Sequence, residues 1–350
     1  MSGGDKVRWG FLSTADIATK VYQAVQVSSN AQVYAVASRS LDSAKKWIEK
    51  HPNVIKAYGT YDELLEDEKV QVVYIPLPTA FKKEWAIKAA KKGKHVLLEK
   101  PLPVDLKDLQ QIIDACKASN VNFMDGTMWL HSIRSKEIPK RLPDLGKIAK
   151  ISAAFTFAAP NEEWLHGGNG RTDKTREPQG CLECGWYPIG AILFMMNWEL
   201  PIKVQTHHFV VNKVDTLIYC GGSMFFKNGV WATFDTGYIA AHRCYVEVAG
   251  SKGTLLVEDV TGGQGKSGNF AAYFENFVGS SYFKMDDVQG KEEIVTVEPC
   301  NHTQLMIEDM SGYVLTKKRD DSWGDISLKM QTVVNAVFDS YLKGGEAIHL

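Results

Sequence analysis

The segment that decides the fold is KVRWGFLSTADIATKVYQAVQVSSNAQVYAVASRS, residues 6–40. It begins with an apolar strand-like run and continues into a helical pattern in which Ile17, Val21 and Val25 share one stripe. It ends in a second run that is rich in β-branched residues. Strand, helix and strand in this order predict a βαβ unit, which at the start of a chain is typical of a dinucleotide-binding fold.

The alternation of strand and helix signals continues to about residue 125. Further strands are predicted in VQVVYIPLP, KHVLLEKP and VNFMDGT, which makes five strands in all. Thr60 is placed to cap the helix in TYDELLED, and Gly93 is placed to end the helix in FKKEWAIKAAKKG. The pattern predicts an α/β fold in which residues 1–126 form a Rossmann domain with a doubly wound parallel sheet.

The pattern changes after about residue 147. Strand signals in AKISAAFTFAA, HHFVV, TLIYCGGSMFF, VWATFDTGYI and YVEVAG follow one another closely, and only one helix, WYPIGAILFMMNWE, lies among them. A second helix is predicted in the tail segment WGDISLKMQTVVNAVFDSYLKG. Residues 127–350 are therefore expected to form an α+β domain on a predominantly antiparallel open sheet.

The composition excludes several classes of partner. The 350 residues include 45% hydrophobic and 23% charged residues, and the net charge is −1. Nucleic acids and membrane surfaces are not expected as partners, because both attract one-signed surfaces. No apolar run reaches the ~18 residues of a spanning helix, and the first ten residues lack a signal-peptide core. We expect a cytoplasmic protein whose six cysteines are reduced.

Cys181 and Cys184 form a C-x-x-C pair. A zinc site requires further ligands at matching spacing, and a thioredoxin-like motif requires a strand before the pair. Neither context is apparent, so we interpret the pair as two ordinary cysteines and expect no metal.

The first strand-to-helix turn, GFLSTADIA, is where a dinucleotide fingerprint would fall. The three glycine positions hold Ser13, Ala15 and Ala18. Small side chains still let backbone N–H groups and the helix N-terminus approach a pyrophosphate. The alternative is a plain tight turn made of small residues.

The end of the second strand indicates which cofactor binds. An acidic residue there would bind the ribose 2′-hydroxyl of NAD, but this chain has Ser38, Arg39 and Ser40, followed by Lys45 and Lys46. A cation with two hydroxyls suits a 2′-phosphate, which favours NADP and leaves NAD possible. The alternative is a solvated basic turn.

The segment HVLLEKPLPV, residues 95–104, leads a buried strand directly into Glu99, Lys100 and Pro101. Open α/β sheets bind ligands at the carboxyl ends of their strands. Proline restricts how Lys100 leaves the strand, which would hold its ammonium near a substrate oxygen. The alternative is an ordinary surface ion pair.

In order, GFLSTADIATKV, AVASRS, YIPLPT, EWAIKAAKKGKHVLLEKP, TMWLHSIRS and ECGWYPIGAILF resemble the Gfo/Idh/MocA family of pyridine-nucleotide oxidoreductases. Within the family, the chain is most similar to the branch of dihydrodiol and D-xylose dehydrogenases. The resemblance runs through most of the chain and is strongest over residues 7–200. It implies a Rossmann domain followed by an α+β domain whose open sheet forms a homodimer or a higher homo-oligomer.

The resemblance also implies catalytic roles. Lys100 of E-K-P points at the nicotinamide and the substrate, and the peptide bond to Pro101 is often cis in the family. The family pattern D-x-G-x-H-x-x-D corresponds to Glu183–Gly190, with Tyr187 in the histidine position and Gly190 in place of the last aspartate. We expect Tyr187 to exchange a proton with the substrate hydroxyl while Lys100 polarises the same oxygen and lowers the tyrosine pKa.

The remaining expected site residues fall into two groups. Cofactor contacts are assigned to Gly10, Ser13, Thr14, Ala15, Asp16, Ile17, Ser38, Arg39, Ser40, Lys45, Pro76, Leu77, Pro78, Thr79, Glu99 and Lys100. Substrate contacts are assigned to Trp129, His131, Arg134, Arg171, Arg176, Glu183 and Tyr187. The glycine-rich segment within residues 160–180 is expected to be a mobile loop over the cleft.

The expected function is an NADP-dependent oxidoreductase acting on a carbohydrate, polyol or dihydrodiol. The main alternative is a non-catalytic NADP-binding regulator of the same fold, and a third is a biliverdin-reductase-like enzyme acting on a tetrapyrrole. One departure from relatives stands out, because Phe81, Lys82 and Lys83 occupy a helix start where relatives carry a histidine.

Overall fold

The computed structural model describes residues 6–261 and 281–350. Residues 1–5, on which part of the argument against a signal peptide depended, lie outside the described residues. The chain divides into two compact units, Met1–His131 with Asn301–Leu328, and Ser132–Cys300 with Lys329–Leu350.

The helices and strands of the described residues alternate closely at first and then separate into a strand-rich region and two terminal helices. The helices are α1 (Asp16–Val27), α2 (Leu41–Lys50), α3 (Tyr61–Glu66), α4 (Thr79–Lys91), α5 (Leu106–Ala118), α6 (Ile133–Arg141), α7 (Leu182–Met195), α8 (His302–Thr316) and α9 (Ser322–Leu342). The strands are β1 (Val7–Leu12), β2 (Ala31–Ala37), β3 (Lys56–Tyr58), β4 (Val72–Ile75), β5 (His95–Leu98), β6 (Phe123–Asp125), β7 (Ile148–Ala158), β8 (Lys203–Val211), β9 (Leu217–Phe225), β10 (Trp231–Gly237), β11 (Ile239–Gly250), β12 (Gly253–Val257), β13 (Tyr282–Asp287), β14 (Glu292–Thr296) and β15 (Ile348–His349).

The first unit contains a sheet in the order β3-β2-β1-β4-β5-β6, and all neighbouring pairs are parallel. This is the strand order of a doubly wound dinucleotide-binding fold, so the predicted fold class is confirmed. Helices cover both faces of such a sheet, which explains why every residue of β4 is buried. Strand β3 was not predicted, because three residues are too few to show a period.

The predicted helix start at Thr60 and the predicted helix end at Gly93 are confirmed. Thr60 Oγ1 accepts the Glu63 N–H at 3.2 Å, and Glu63 Oε2 accepts the Thr60 N–H at 3.0 Å, which together form a capping box at the start of α3. Gly93 follows the end of α4 with φ of +70°, a conformation that glycine adopts without strain.

Residues 301–328 pack with the first unit, although the sequence-based division assigned them to the second domain. Met306, Ile307 and Met310 of α8 enter the core beneath β1, and Trp9 Nε1 donates to Ser311 Oγ at 3.1 Å. The contiguous division could not include this return, because packing between segments about three hundred residues apart leaves no local periodic signal.

The second unit contains a sheet in the order β14-β13-β12-β11-β7-β10-β9-β8-β15. Its neighbours are antiparallel except for the parallel pair β7 and β10, as the prediction of a predominantly antiparallel sheet required. Helix α7 packs against β7, β10 and β11. A Cβ atom on Gly185 would lie 3.2 Å from Thr236 Cγ2, so a glycine permits this close packing.

None of the helices within residues 6–261 and 281–350 combines the length and the apolar character that a membrane-spanning segment requires.

Candidate functional site

The turn between β1 and α1 leads directly into the start of a helix. Ser13 has φ of 148°, and its Oγ accepts the Ala15 N–H at 3.0 Å. Helix α1 begins at Asp16, after Ala15, without a side-chain cap. The Ala18 N–H donates to the Ala15 carbonyl at 2.8 Å, which leaves the N–H groups of Asp16 and Ile17 to a pyrophosphate, while Thr14 and Ile17 are partly buried.

Gly10 has a packing explanation. A Cβ atom at this position would lie 2.7 Å from Leu64 Cδ2 and 2.9 Å from Val70 Cγ1. The absence of a side chain therefore lets α3 and the chain after it pack on β1. Cofactor contact by Gly10 stays a prediction, and packing alone accounts for the glycine.

Arg39 follows β2 in the turn, and Lys45 lies in α2. Arg39 and Lys45 are exposed, and no hydrogen bond or ion pair joins either side chain to another described residue. Ser40 Oγ caps α2 by accepting the Ser43 N–H at 3.4 Å, and the Ser38 N–H bonds the Tyr58 carbonyl at 3.2 Å. Arg39 and Lys45 therefore remain open to an anionic group, whereas Ser40 already has a structural role.

Strand order reverses between β1 and β4, and ligands of open α/β sheets bind outside such a switch point. The turn after β4 contains Pro76 and Leu77, which are buried, and Pro78, which is exposed and precedes the first residue of α4. That first residue, Thr79, is buried. The predicted cofactor contacts at 13–17 and 76–79 thus belong to two turns that flank the switch point.

Beyond β5, the chain turns at Glu99, Lys100 and Pro101, and the Lys100–Pro101 peptide bond is cis, as the resemblance implied. The Glu99 carboxylate accepts a hydrogen bond from Tyr74 Oη at 2.7 Å. A Cβ atom at Gly126 would lie 2.9 Å from Glu99 Oε2, so β6 ends directly against this carboxylate.

Burial raises the pKa of Glu99, while the Tyr74 hydrogen bond and the charges of Lys100 and Lys82 oppose that rise, and the charge of Asp125 adds to it. The ammonium groups of Lys100 and Lys82 and the carboxyl group of Asp125 therefore all influence the pKa of Glu99 at the carboxyl edge of the sheet. The carboxyl group of Asp125 is itself fully buried and accepts hydrogen bonds from Ser327 Oγ at 2.5 Å and from the Thr127 N–H at 2.8 Å.

Lys82, which departs from the histidine of relatives, is a buried residue of α4. Its side chain is 2% exposed, and its Nζ donates to the Pro101 carbonyl. The buried positions of α4 are Thr79, Lys82, Ala86, Ala89 and Ala90. This helical spacing, which places a lysine on the buried stripe, was a signal that could have identified the residue.

Trp129 and His131 lie in a short helical turn after β6, and both are buried. His131 Nδ1 lies 2.7 Å from Asp309 Oδ2 of α8, and its ring stacks on Trp323 of α9 with centroids 4.4 Å apart. These contacts lie within the first unit and give His131 a structural role. Substrate contact by Trp129 or His131 stays a prediction.

Arg134 is also buried, at 2% exposure. Its guanidinium donates to the backbone carbonyls of Asp259 and Val260, the latter at 3.3 Å. These bonds connect α6 to the segment after β12. The sequence did not indicate this structural role, because the partners of Arg134 lie about 125 positions away. Substrate contact by Arg134 stays a prediction.

Glu183 occupies the first turn of α7 and is 4% exposed. One of its carboxylate oxygens, Oε1, lies 3.0 Å from Arg171 Nε and accepts hydrogen bonds from Tyr238 Oη at 3.2 Å and from Cys184 Sγ at 2.9 Å. The negative charge of Glu183 raises the pKa of Arg171, and this effect outweighs the lowering by burial. The guanidinium of Arg171 is therefore held in its charged form beside the buried carboxyl group at the start of α7.

Tyr187 follows Glu183 by one helical turn and is 7% exposed. Its ring lies 4.8 Å from that of Phe155 on β7, and the phenol is close enough to Arg171 to contribute to the raised pKa of the guanidinium. Phe157 and Trp164 extend the aromatic surface, with ring centroids 5.9 Å apart. The second unit thus places a phenol beside a cation and an aromatic wall.

Arg176 differs from Arg171. Its side chain is 72% exposed, and its Nε lies 3.7 Å from Asp173 Oδ2. The loop that carries both arginines is fastened to the turn after β8, because Asn212 Nδ2 donates to the carbonyls of Leu165 and Thr172 at 2.9 Å. Mobility of the 160–180 loop stays a prediction, as does substrate contact by Arg176.

Cys181 and Cys184 are buried free thiols, and burial raises the pKa of Cys181 well above its usual value. A high thiol pKa disfavours the thiolate that metal binding and redox chemistry require. Within the part of the chain that the structure describes, no group of three His, Cys, Asp or Glu side chains is arranged to hold a metal ion.

Comparison with known proteins identifies both units. A family profile described as "Oxidoreductase family, NAD-binding Rossmann fold" (GFO_IDH_MocA) matches residues 7–127. A second profile, described as "GFO/IDH/MocA C-terminal domain", matches residues 143–256. Together the two matches cover more than half of the chain.

Individual relatives agree with these matches. D-xylose 1-dehydrogenase (NADP(+)) 2 of Haloferax volcanii is 26% identical and covers 71% of this chain and 74% of its own. Trans-1,2-dihydrobenzene-1,2-diol dehydrogenase of Danio rerio is 31% identical, over 57% of this chain and 59% of its own. The crystal structure of a 3-ketoreductase from Actinomadura kijaniata in complex with NADP and TDP-benzene has a TM-score of 0.81 at 24% identity, covering 96% of this chain and 98% of that chain, which shows a shared fold.

Proposed function

Because the chain belongs to the GFO/IDH/MocA family of oxidoreductases, we propose that it is an NADP-dependent enzyme that oxidises or reduces a carbohydrate, polyol or dihydrodiol. The bound nicotinamide would donate or accept the hydride. The residues present fit this cofactor, because the first turn of α1 offers uncapped N–H groups to a pyrophosphate. Arg39 and Lys45 offer cations to a 2′-phosphate at the end of β2.

We assign Lys100 the role of an electrostatic partner of the reacting oxygen. The observation that carries the proposal is the position of this lysine two residues after the end of β5, at the carboxyl edge of a sheet with the 3-2-1-4-5-6 order. Ligands of this fold bind at that edge. An ammonium fixed there stabilises negative charge that develops on a substrate oxygen.

Tyr187 is assigned the role of general acid and base. Its phenol would exchange a proton with the substrate hydroxyl as the hydride moves, and such proton transfer contributes about 10²–10⁴-fold to a rate. Arg171 supports this role, because a neighbouring cation stabilises the phenolate form of a tyrosine. The buried carboxylate of Glu183 holds that arginine in place.

The substrate class is proposed from the relatives and from the aromatic surface of the second unit. Phe157, Trp164 and Tyr238 present ring faces and edges to one another, with centroids 5.1–5.9 Å apart. Phe157 and Tyr238 are buried, whereas Trp164 is partly exposed, so the Trp164 ring is the one of the three placed to pack against the apolar face of a sugar ring or a cyclic diol. Dihydrodiol and xylose dehydrogenases are among the relatives, and both act on molecules of these kinds.

We also propose that the protein is a cytoplasmic homodimer or higher homo-oligomer that assembles through the sheet of the second unit. Several large apolar side chains of this sheet are exposed, with Phe209 at 37%, Trp231 at 41% and Ile239 at 45%. Exposed apolar groups on one sheet favour association with a second copy. Sedimentation velocity measures the assembly, and a monomer at micromolar concentration would contradict it.

The decisive experiment is a substrate screen with the purified full chain. NADPH and NADH are each mixed with sugars, polyols, trans-dihydrodiols and the corresponding carbonyl compounds, and the nicotinamide absorbance is followed. We expect turnover with one of these classes and a preference for NADP(H). Tight NADPH binding without turnover across the panel would favour the non-catalytic regulatory protein instead. A tetrapyrrole is tested separately, and turnover of it alone would favour a biliverdin-reductase-like enzyme.

A further inference from the structure

Helix α4 buries one stripe of residues, and Lys82 lies on it among alanines. At 2% exposure its ammonium is removed from water, which is unfavourable unless opposite charge and hydrogen-bond acceptors replace the lost hydration. The next residue, Lys83, is the matched contrast, because its side chain is 38% exposed and its Nζ lies 2.5 Å from Asp108 Oδ1.

Groups on both sides of Lys100 help to compensate the buried ammonium. Lys82 Nζ donates to the carbonyl of Pro101, the residue after the proposed catalytic lysine. Its charge also acts on Glu99, the residue before that lysine. Lys82 therefore touches the turn on one side of Lys100 and balances the charge on the other side.

We propose that Lys82 is a positioning residue for Lys100, which holds the Glu99–Pro101 turn through the Pro101 carbonyl and neutralises the Glu99 carboxylate. This inference rests on the proposed catalytic role of Lys100. Without Lys82, Glu99 would draw the Lys100 ammonium toward itself, and the ammonium would be displaced from the substrate oxygen. In this proposal Lys82 holds the turn, and Lys100 acts on the substrate oxygen.

The environment of Glu99 allows a specific test by pH. The groups that act on the carboxylate are Tyr74 from β4, Lys82 from α4, Lys100 from the same turn and Asp125 from β6. Lys82 lowers the pKa of Glu99, so its removal raises that pKa further. Glu99 then becomes protonated at a higher pH. A protonated Glu99 no longer attracts the Lys100 ammonium, so the deficit of the variant in kcat/KM should narrow as the pH falls.

The experiment compares Lys82→Met with Lys83→Met in the full-length protein. We expect Lys82→Met to lower kcat about tenfold or more while KM for NADPH changes less than about twofold, because Lys82 is not itself an expected cofactor contact and acts on the position of Lys100. Its deficit in kcat/KM relative to the parent should narrow as the pH falls, whereas Lys83→Met keeps the parent values at every pH. Lys82→Arg retains the charge and restores the parent pH profile.

Hydrogen exchange supplies a readout that does not need turnover. Amides within residues 98–105 should exchange faster in Lys82→Met than in Lys83→Met or the parent. If Lys82→Met folds poorly by circular dichroism, the double variant Lys82→Met with Glu99→Gln removes both charges, and it should fold and still show the faster exchange.

Parent kinetics and parent exchange in Lys82→Met would overturn the inference, as would equal losses in Lys83→Met. A parent protein that turns over no substrate would contradict the proposed function. The exchange comparison would then still decide whether Lys82 holds the turn.

Discussion

Arg171 Nε lies 3.0 Å from Glu183 Oε1, and this contact joins the loop before α7 to the first turn of that helix. The carboxylate is 4% exposed, whereas the arginine side chain is 42% exposed. The ion pair therefore has one buried partner, and removal of the arginine would leave a buried carboxylate without its cation.

Arg171→Met should destabilise the protein and reduce turnover. We expect a loss of about 1–3 kcal/mol in the free energy of unfolding, because a buried charge loses a charged hydrogen-bond partner but its cation was partly solvated. The loss of kcat should exceed tenfold, since Tyr187 loses its neighbouring cation. Urea denaturation and steady-state kinetics measure the two effects. Arg176→Met, in the same loop but 72% exposed, should change stability by less than about 0.5 kcal/mol.

Lys100→Met should leave NADPH binding nearly unchanged and remove most turnover. We expect kcat to fall about 10²–10³-fold, which is the effect of losing one group that stabilises developing charge. NADPH fluorescence titration and steady-state kinetics separate the two quantities. Lys107→Met, at an exposed position in the first turn of α5, serves as the control. A variant of Lys100 with the parent kcat would exclude its proposed role.

Arg39→Asp should shift the cofactor preference toward NAD. The substitution replaces a cation that suits a 2′-phosphate with an anion that repels it, so the ratio of kcat/KM for NADP to that for NAD should fall about tenfold or more. Lys50→Asp makes the same charge change at the far end of α2 and should leave the ratio close to that of the parent. An unaltered ratio in Arg39→Asp would reject the 2′-phosphate assignment.

His95 should make stability depend on pH between about 6.5 and 4. Burial lowers the pKa of His95 from 6.5 to about 4, and its Nδ1 accepts the Asn122 N–H at 3.0 Å, which requires an unprotonated nitrogen. Because the unfolded chain binds this proton more readily, the stabilisation is complete above pH 6.5 and is lost as the pH falls toward 4.

The loss over that interval should be about 2–4 kcal/mol. Urea midpoints at several pH values measure it, and His95→Gln should flatten this part of the curve. His349→Gln, at an exposed position, should leave the curve as in the parent. A parent protein with constant stability from pH 7 to 4 would contradict the prediction.

The sequence by itself determined the fold class and the family. Both follow from local order along the chain: a continuous apolar run marks β4, a period of 3.6 residues marks α1, small residues mark the turn at Ser13, and E-K-P marks the end of β5. Such features involve residues within a few positions of one another, so a single sequence contains them. Thr60 and Gly93 could be assigned as helix ends for the same reason.

Only the tertiary structure decided which side chains share an environment. The pairing of Arg171 with Glu183, the enclosure of Lys82 against Pro101 and the contact of His131 with Asp309 join residues from 12 to 178 positions apart. The packing of α8 in the first unit likewise joins residues that are far apart in the sequence. The burial of a side chain and the charged groups around it depend on which surfaces come into contact when the chain packs. The spacing of residues along a single sequence does not specify those contacts.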